Sequence, residues 1–365
     1  ATPGPPTLRA VEAGEAIRIT TGAPIPPGAD SVIRVEDTDR EASPGIVRIL
    51  DARDVGRHIR PAGRDLAAGE LVGAPGDRID PGTIGVLVGA GAREVEVHPK
   101  PTVAIVTTGD ELVDAGAFDR VIAGDGIPDT NGPLLAAAAA EAGATPRIGP
   151  AVADDIDALI ARFERELDAD VLITVGGASM GTGDLVKRAL DRIGFELDFW
   201  RVKLRPGSPF GLGRIPRPGR SPLPVLSLPG NPASAFVTFQ LFARPLLRRL
   251  AGHTAIHRPG AVAVAAEPFP ANPRLTMLPR VVLETDAAGV LHARSAGDQT
   301  SGLVRTLALA DGLAVLPPAD APTPPGSPVR VLLHTGDGAD AESPDWLDPI
   351  DRGHEDDDGR SHGGA

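Results

Sequence analysis

Between residues 101 and 252 the chain alternates short apolar runs with longer amphipathic stretches. The runs TVAIV (102–106), RIGPAV (147–152), VLITV (171–175) and PVLSL (224–228) predict buried strands. Between two of them, Ile156, Leu159, Ile160, Phe163 and Leu167 recur at helical spacing. Strands that alternate with helices are typical of a doubly wound, mostly parallel sheet covered on both faces. We therefore predict an α/β core domain over residues 101–252.

Polar and breaking residues mark the ends of the predicted helices. Asn131 is predicted to cap a helix that has Pro133 in its first turn, and Asp154 or Asp155 is predicted to cap the next one. A further helix is expected from Pro232 to about residue 250, with a kink at Pro245, because proline cannot donate the helical hydrogen bond.

Both flanks of the core domain read as short strands separated by turns rich in proline and glycine, which makes the chain multidomain with small β-rich domains beside the α/β core. Residues 1–61 predict a small β module and residues 259–334 a C-terminal β domain. Residues 62–100, with one helix candidate near 81–90, predict a connecting segment left from a first domain. Residues 335–365 combine ten acids with two arginines, and this composition predicts an acidic disordered tail.

Composition narrows the chemistry. The chain has no cysteine, and its eight histidines lack the spacing of zinc ligands, so disulfides and thiolate metal sites are excluded and a reducing cytoplasm is expected. No apolar stretch approaches the length of about 18 residues that a membrane span needs. Aromatic residues are only 3% and no basic stripe is present, which disfavours nucleic acid as a ligand.

Lysine occurs only at positions 100, 187 and 203, so an anion would be held by arginine, by backbone N–H groups or through a metal ion. Four polar loops follow predicted strands: TTGDEL (107–112), DTNGP (129–133), GGASMGTGD (176–184) and LPGNPAS (228–234). Ligands of such sheets bind beyond the carboxyl ends of the strands, so we expect the four loops to meet there. The glycines of the third loop would let backbone N–H groups approach a phosphate.

Two simpler interpretations of these loops remain. Asp184 is well placed to cap the following helix and Asp110 to sit in a turn, although a cap does not account for the neighbouring Glu111. The segment from Gly177 to Gly181 also matches G-x-S-x-G, which would make Ser179 a hydrolase nucleophile. A nucleophile elbow begins its helix directly after the serine, whereas Gly181, Thr182 and Gly183 intervene here.

Seven segments in order resemble the molybdopterin molybdenumtransferase family, the molybdenum insertases that include the E domain of gephyrin. They are IRITTGAPIPPGADSVIRVED (17–37), GRHIRPAGRDLAAGE (56–70), VAIVTTGDELV (103–113), DTNGPLL (129–135), GGASMGTGDLVK (176–187), RPGSPFGLG (205–213) and LPGNPASAFVTF (228–239). The resemblance implies an enzyme of molybdenum cofactor biosynthesis. Such an enzyme inserts molybdenum from molybdate into adenylylated molybdopterin and releases AMP, with Mg²⁺ as its metal.

The resemblance also implies roles for particular residues. Asp110, Glu111 and Asp184 would be catalytic and hold Mg²⁺, while Arg205, Ser208, one of Arg274 or Arg280, and Ser301 would bind molybdate. The residues expected to bind the pterin nucleotide are Thr108, Gly109, Asn131, Gly176, Gly177, Ser179, Gly181, Pro206, Gly230, Asn231, Pro232 and Ser234. The family usually has P-G-K-P where this chain has Pro206-Gly207-Ser208-Pro209, so a serine replaces one anion-binding lysine.

Three further expectations follow from the resemblance. Family members usually begin with a segment that carries a D-N-S-A-M-D-G-Y-A-like motif, so we expect an N-terminally incomplete sequence. A homodimer is expected for the full-length protein, and a molybdopterin adenylyltransferase is a candidate partner. Two alternative functions stay open: the adenylyltransferase reaction itself, which uses a similar glycine loop, and a non-catalytic molybdopterin-binding scaffold.

Overall fold

The computed structural model describes residues 9–40, 42–177 and 184–334. It divides the chain into two compact units, Ala1–Val95 and Glu96–Ala365. Within the described residues, no helix is long and apolar enough to cross a membrane.

Charged contacts, more than an apolar core, organise the described part of the first unit. Asp37 and Asp54 are buried; Arg34 bonds to both, and Arg53 bonds to Asp37. The elements here are a 3₁₀ turn, Val35–Asp37, and helix α1, Pro81–Gly89, whose first turn is capped by Asp80. The helix predicted near 81–90 is thus present.

Residues 1–61 are predicted as a small β module. Their described part contains isolated bridges such as Thr38↔Ile49, separated by prolines and glycines. The module and the connecting segment 62–100 stay predictions. The α1 helix buries none of its side chains, and Ile84 and Val88 are 53% and 67% exposed.

The second unit is built around a six-stranded sheet with helices on both faces, as the sequence predicts. Its strands and helices, in chain order, are β1 Thr102–Thr107, β2 Leu112–Val113, α2 Phe118–Ile122, β3 Ile127–Pro128, α3 Asn131–Glu141, β4 Thr145–Arg147, α4 Ile156–Glu164, β5 Val171–Val175, α5 Leu185–Arg192, β6 Glu196–Trp200, β7 Leu204–Arg205, β8 Gly211–Ile215, β9 Leu223–Leu228, α6 Pro232–Thr238 and α7 Arg244–Leu250. A 3₁₀ turn, Ala115–Ala117, precedes α2.

The sheet order is β4-β1-β5-β9-β8-β6. The first four strands are parallel to one another, and β8 runs antiparallel to both of its neighbours, β9 and β6. Short β2 and β3 form a separate parallel pair. One core cluster packs α3, α6 and α7 on one face, and another packs α4 and α5 on the other. The apolar runs of β1 and β5 are buried on both faces, which explains their continuous hydrophobicity.

One local prediction about this domain is wrong, and another is confirmed in a modified form. The strand expected over residues 147–152 is instead β4, which ends at Arg147, because Gly149 and Pro150 interrupt pairing and only Val152 makes a bridge, to Thr108. The helix predicted from Pro232 to about residue 250 is present as α6, a π-helical turn at Phe239–Ala243 and α7, and the irregular turn lies just before Pro245. A π turn shifts the hydrogen-bond pattern and so accommodates the missing proline N–H.

The C-terminal β domain is a closed barrel. The elements of this domain are β10 Gly260–Ala265, β12 Arg280–Thr285, β13 Leu291–Ser295, α8 Arg305–Leu309, β14 Gly312–Val315 and β15 Pro328–Leu333. The short strand β11, Thr276–Met277, lies between β10 and β12 in the chain but outside the barrel. The barrel order is β10-β13-β12-β14-β15. Full closure leaves no free strand edge. The predicted tail, residues 335–365, lies outside the described residues.

Side chains of the core domain hold the barrel in place. Short β11 pairs in parallel with β7 of the core domain. The linker between α7 and the barrel is fixed by two arginines of α7: Arg244 donates to the carbonyl oxygen of Ile256 at 3.1 Å, and Arg248 to that of Ala255 at 3.0 Å. At the end of β15, the ring of His334 meets Phe236 of α6 edge-on, with 5.0 Å between ring centroids.

His334 makes the unfolding free energy sensitive to acid. Both ring nitrogens are buried without a hydrogen-bond partner among the described residues, and this burial, with the nearby charge of Arg258, lowers the pKa of His334 to about 3. The folded protein keeps the ring neutral while the unfolded chain protonates it below about 6.5. Stability is therefore lost as the pH falls from 6.5 towards 3.

We predict that His334→Phe, which keeps the ring packing, loses this acid sensitivity. Between pH 7.5 and pH 4.5 its free energy of unfolding should fall by about 2 kcal/mol less than that of the parent. Urea denaturation at both pH values measures the difference. Parallel pH dependences in the two proteins would contradict the assignment.

Candidate functional site

Three of the four polar loops lie side by side at the carboxyl edge of the parallel sheet. They follow β1, β5 and β9, which are consecutive strands in the sheet order. The DTNGP loop follows β3 outside that sheet but is bonded to it, since Thr107 at the end of β1 donates its hydroxyl to Asp129 at 2.7 Å. The prediction that the loops meet at one edge is therefore confirmed for their described residues.

Glycines allow the loops to approach one another this closely. Gly176 follows β5 with φ of +97°, and a Cβ there would lie 2.8 Å from the carbonyl oxygen of Thr108. Gly177 has φ of +60°, and its Cβ would lie 2.5 Å from a methyl group of Val186. These positive φ values are strained for other residues, and neither space can hold a side-chain atom. Glycine is required at both positions by geometry alone.

The loop after β1 presents two exposed carboxylates. Asp110 accepts a hydrogen bond from the backbone N–H of Asp154 at 3.0 Å, and the hydroxyl of Thr108 donates to the Asp154 carboxylate at 3.0 Å. The Glu111 carboxylate lies over Gly109, where a Cβ would be 2.7 Å from its oxygen. The cap of α4 is Asp155, so Asp154, the other candidate for that cap, instead fixes the loop that carries Asp110.

Asp184 begins helix α5 and is 7% exposed. Its Oδ1 accepts from the backbone N–H groups of Val186 and Lys187 at 3.0 and 3.2 Å, which makes it the N-cap that the sequence suggested. Within the described part of the chain, no three His, Asp or Glu side chains converge as a ready metal site. Asp184 is thus not clustered with Asp110 and Glu111 in this structure.

Asn131 does not cap its helix, contrary to the prediction. Asp129 takes that role, because its Oδ1 accepts from the backbone N–H of Gly132 at 3.0 Å. Asn131 instead donates its Nδ2 to the carbonyl oxygen of Gly230 at 2.7 Å, which joins the DTNGP loop to the LPGNP loop. Its Oδ1 is buried and has no partner among the described residues, so an acceptor remains at this edge.

The LPGNP loop connects the sheet edge to the barrel. Pro232 opens α6 and Ser234 is buried in its first turn. Asn231 precedes that helix and donates its Nδ2 to the hydroxyl oxygen of Ser301 at 3.1 Å. The backbone N–H of Ala233 donates to the carbonyl oxygen of Ser301 at 3.0 Å. Ser301 is therefore held against the carboxyl edge, as a candidate site residue should be.

The R-P-G-S segment lies on β7 and the turn after it. Arg205 is exposed, and its carbonyl oxygen accepts from Leu278 at 2.8 Å, next to the pairing of β7 with β11. The peptide bond between Arg205 and Pro206 is cis, and Gly207 packs on Thr238 so closely that a Cβ would clash. Ser208 donates its hydroxyl to the carbonyl oxygen of Val202 at 3.0 Å, so this hydroxyl closes the turn.

The structure separates the two arginines that the sequence left open. Arg274 is exposed in the turn before β11. Arg280 is 0% exposed, and its guanidinium bonds to the hydroxyl of Thr306 and to the carbonyl oxygens of Asp298 and Thr300. Burial lowers the pKa of Arg280. Solvent can reach Arg274 but not Arg280.

Two candidate residues, Ser179 and Gly181, lie outside the described residues. Sequence reasoning missed the positioning roles of Thr107, Asp129 and Asp154, because each acts through a contact with a distant segment. The D-T-N sequence was the signal for Asp129, since an Asp two residues before a helix start can accept from its first N–H groups.

The chain matches three family models in the order in which the domains occur. Residues 1–91 match the MoeA N-terminal region (domain I and II), residues 104–249 a probable molybdopterin binding domain, and residues 262–334 the MoeA C-terminal region (domain IV). Molybdopterin molybdenumtransferase 2 of Mycobacterium tuberculosis (strain CDC 1551 / Oshkosh) is 34% identical over 306 residues, which is 82% of this chain and 72% of that protein. The chain belongs to the molybdopterin molybdenumtransferase family.

Other members of the molybdopterin molybdenumtransferase family agree with this placement. The enzyme named so in Bacillus subtilis (strain 168) is 31% identical over 87% of this chain and 73% of its own length. Gephyrin of Dictyostelium discoideum is 31% identical over 87% of this chain and 48% of its own length. A crystal structure of a molybdopterin biosynthesis moeA protein from Pyrococcus horikoshii OT3 has the same fold, with a TM-score of 0.67 at 23% identity over 91% of this chain and 78% of that one.

We predict that the tight contact between Gly176 and the carbonyl oxygen of Thr108 makes this position intolerant of a side chain. Gly176→Ala should lower the free energy of unfolding by about 1–3 kcal/mol more than Gly194→Ala. Gly194 has a similar φ of +86° but open space around it, so the pair isolates the clash with the Thr108 carbonyl from backbone strain. Urea denaturation measures both; equal losses would show that the contact costs nothing.

Proposed function

We propose that this protein inserts molybdenum from molybdate into adenylylated molybdopterin and releases AMP, as a step of molybdenum cofactor biosynthesis. The observation that carries the proposal is the bridge from the glycine-lined sheet edge to the barrel through Asn231 and Ser301. It brings the sheet edge that would bind the pterin nucleotide and the Ser301 loop that would bind molybdate into one site. The family name and the enzymatic activity of the relatives support the same conclusion.

The phosphate side of the site is the loop between β5 and α5. Gly176 and Gly177 leave backbone accessible there, and the first turn of α5 carries a partial positive charge that favours an anion. The unpartnered Oδ1 of Asn131 supports contact with an amino group of the pterin nucleotide. Thr108, Gly230, Pro232 and Ser234 would shape the remaining wall.

Asp110 and Glu111 fit a magnesium site that is completed by the substrate. They are exposed, adjacent and supply only oxygen ligands, and Mg²⁺ commonly uses one or two carboxylates together with substrate phosphates. When bound, the ion would neutralise charge on the anhydride being cleaved. Asp184 fits less directly, because one carboxylate oxygen already caps α5. These residues of the chain position the attacking water and the phosphates.

Molybdate is a substrate and needs cationic and hydroxyl donors. Arg205 and Arg274 are exposed on segments joined by the pairing of Leu204 with Thr276, so both can reach one oxyanion. Ser301 supplies a hydroxyl whose oxygen already accepts from Asn231, which leaves its proton to donate. The enclosed Arg280 supports a role in holding the Ser301 loop more than direct contact.

The alternatives have less support. A stand-alone adenylyltransferase would not need the regions at residues 1–91 and 262–334, which match the MoeA models. A scaffold without activity would not need the exposed pair Asp110 and Glu111. We also place the protein in the cytoplasm, and we propose a homodimer, which the exposed Ile84 and Val88 of α1 support. A molybdopterin adenylyltransferase is a possible partner because it makes the adenylylated substrate.

We predict that Asp184→Asn separates capping from catalysis. Asparagine caps a helix about as well as aspartate, so the melting temperature should change by no more than about 2 °C. Because the carboxylate would ligate Mg²⁺ or orient the attacking water, its loss should slow AMP release from adenylylated molybdopterin at saturating molybdate at least about tenfold. A variant as fast as the parent would reduce Asp184 to a cap and leave the carboxylate role to Asp110 and Glu111.

We predict that Ser208→Lys strengthens molybdate binding. A cation near Arg205 adds Coulomb attraction of about 1 kcal/mol at a partly exposed position, or about fivefold in affinity. Ser221→Lys is the control, because it adds the same charge at an exposed position on another loop. Calorimetric titration with molybdate measures both, and unchanged or weaker affinity in Ser208→Lys would place this residue away from the oxyanion.

A further inference from the structure

The carboxamide of Gln299 contacts both backbone groups of Arg280 at the start of β12. Its Oε1 accepts from the backbone N–H of Arg280 at 2.9 Å, and its Nε2 donates to the carbonyl oxygen of Arg280 at 3.0 Å. The same Nε2 lies 2.9 Å from the hydroxyl of Ser295 and 3.1 Å from the carbonyl oxygen of Gly297. The carbonyl oxygen of Arg280 also accepts from the backbone N–H of Ala296 at 2.9 Å, whereas its own N–H is held by the Gln299 carboxamide.

The side chain of Arg280 returns the contact to the loop from which Gln299 comes. Its Nη2 donates to the carbonyl oxygens of Asp298 and Thr300 at 3.0 and 3.2 Å, and its Nε donates to the hydroxyl of Thr306 at 2.7 Å. Gln299 therefore holds the backbone of Arg280, while Arg280 holds the residues on either side of Gln299. We call this reciprocal pair of contacts the Gln299–Arg280 clasp.

Ser301 is the next residue after the part of the loop that the clasp holds. From the other side it is fixed by the core domain, through Asn231 Nδ2 to its hydroxyl oxygen and Ala233 N–H to its carbonyl oxygen. Because its hydroxyl oxygen accepts from an amide, the hydroxyl proton is directed away from Asn231. The direction in which Ser301 donates thus depends on the clasp and on the start of α6 together.

The geometry points to Gln299 as a positioning residue for the oxyanion site: through Arg280 it sets the loop so that the Ser301 hydroxyl donates to a tetrahedral oxyanion such as molybdate. This inference rests on the proposed function. Gln299 is partly exposed, and its hydrogen bonds go to Arg280 and to the loop that leads to Ser301. Residues 297, 298 and 300 around it are exposed.

The test compares the same substitution at two glutamines of the second unit. Gln299→Met removes the clasp while keeping the length of the side chain. Gln240→Met is the control, since Gln240 is also hydrogen-bonded, to Arg258, but lies in the π turn. We expect molybdate alone to bind Gln299→Met at least fivefold more weakly by calorimetry and to bind Gln240→Met within twofold of the parent.

Kinetics supply a second readout that a general loss of stability would not produce. In Gln299→Met the KM for molybdate should rise at least fivefold, while kcat at saturating molybdate and the KM for adenylylated molybdopterin stay within twofold. Unchanged molybdate binding in Gln299→Met would overturn the inference, as would an equal loss in Gln240→Met.

Failure of the proposed function can be told apart from failure of the inference. If the parent binds molybdate and Gln299→Met binds it at least fivefold more weakly, but the parent releases no AMP, the proposed reaction is wrong and the positioning role stands. If the parent releases AMP in the presence of molybdate and Gln299→Met behaves as the parent, only the inference falls. A parent that does not bind molybdate would overturn both.

Discussion

The contact between Gly176 and the Thr108 carbonyl sets the geometry of the whole carboxyl edge. The turn after β5 folds back over the end of β1 at a distance that no side chain allows. Gly230 extends the contact to the next strand, since a Cβ on it would lie 3.6 Å from the α-carbon of Gly176. Three loops of neighbouring strands are therefore packed backbone against backbone. The carboxylates and hydroxyls beside them take their places from this packing.

Neutral groups make two of the hydrogen bonds at this edge, beside the bond from Thr107 to the Asp129 carboxylate. Asn131 donates to a carbonyl oxygen, and Asn231 donates to a hydroxyl. Bonds between neutral groups are little affected by ionic strength, whereas exposed charges are screened. The edge can therefore keep its shape while Asp110, Glu111 and Arg205 remain exposed for charged ligands.

The sequence predicts the parallel core and the barrel strands well, because residues such as those of β5 are buried on both faces and leave a continuous apolar signal. It predicts less well where a contact with a distant segment decides. The D-T-N sequence offers Asp129 as well as Asn131 as the cap, and a long-range contact decides between them, because Asn131 donates to the carbonyl oxygen of Gly230. Arg274 and Arg280 likewise look alike in sequence. In the folded protein, residues 298–306 cover Arg280 and leave Arg274 exposed.

The linker before the barrel has a consequence for how this architecture can vary. Arg244 and Arg248 recognise main-chain carbonyl oxygens of residues 256 and 255, not their side chains. Every amino acid offers such a carbonyl, so residues 255 and 256 can change while these two bonds stay the same, whereas Arg258 of the same linker contacts Glu141 and Gln240 through its side chain. The last helix of the core domain thus sets part of the position of the barrel, beside the pairing of β7 with β11 and the contact of His334 with Phe236. A barrel transplanted from a distant relative would meet the same two arginines whatever residues it carried at positions 255 and 256.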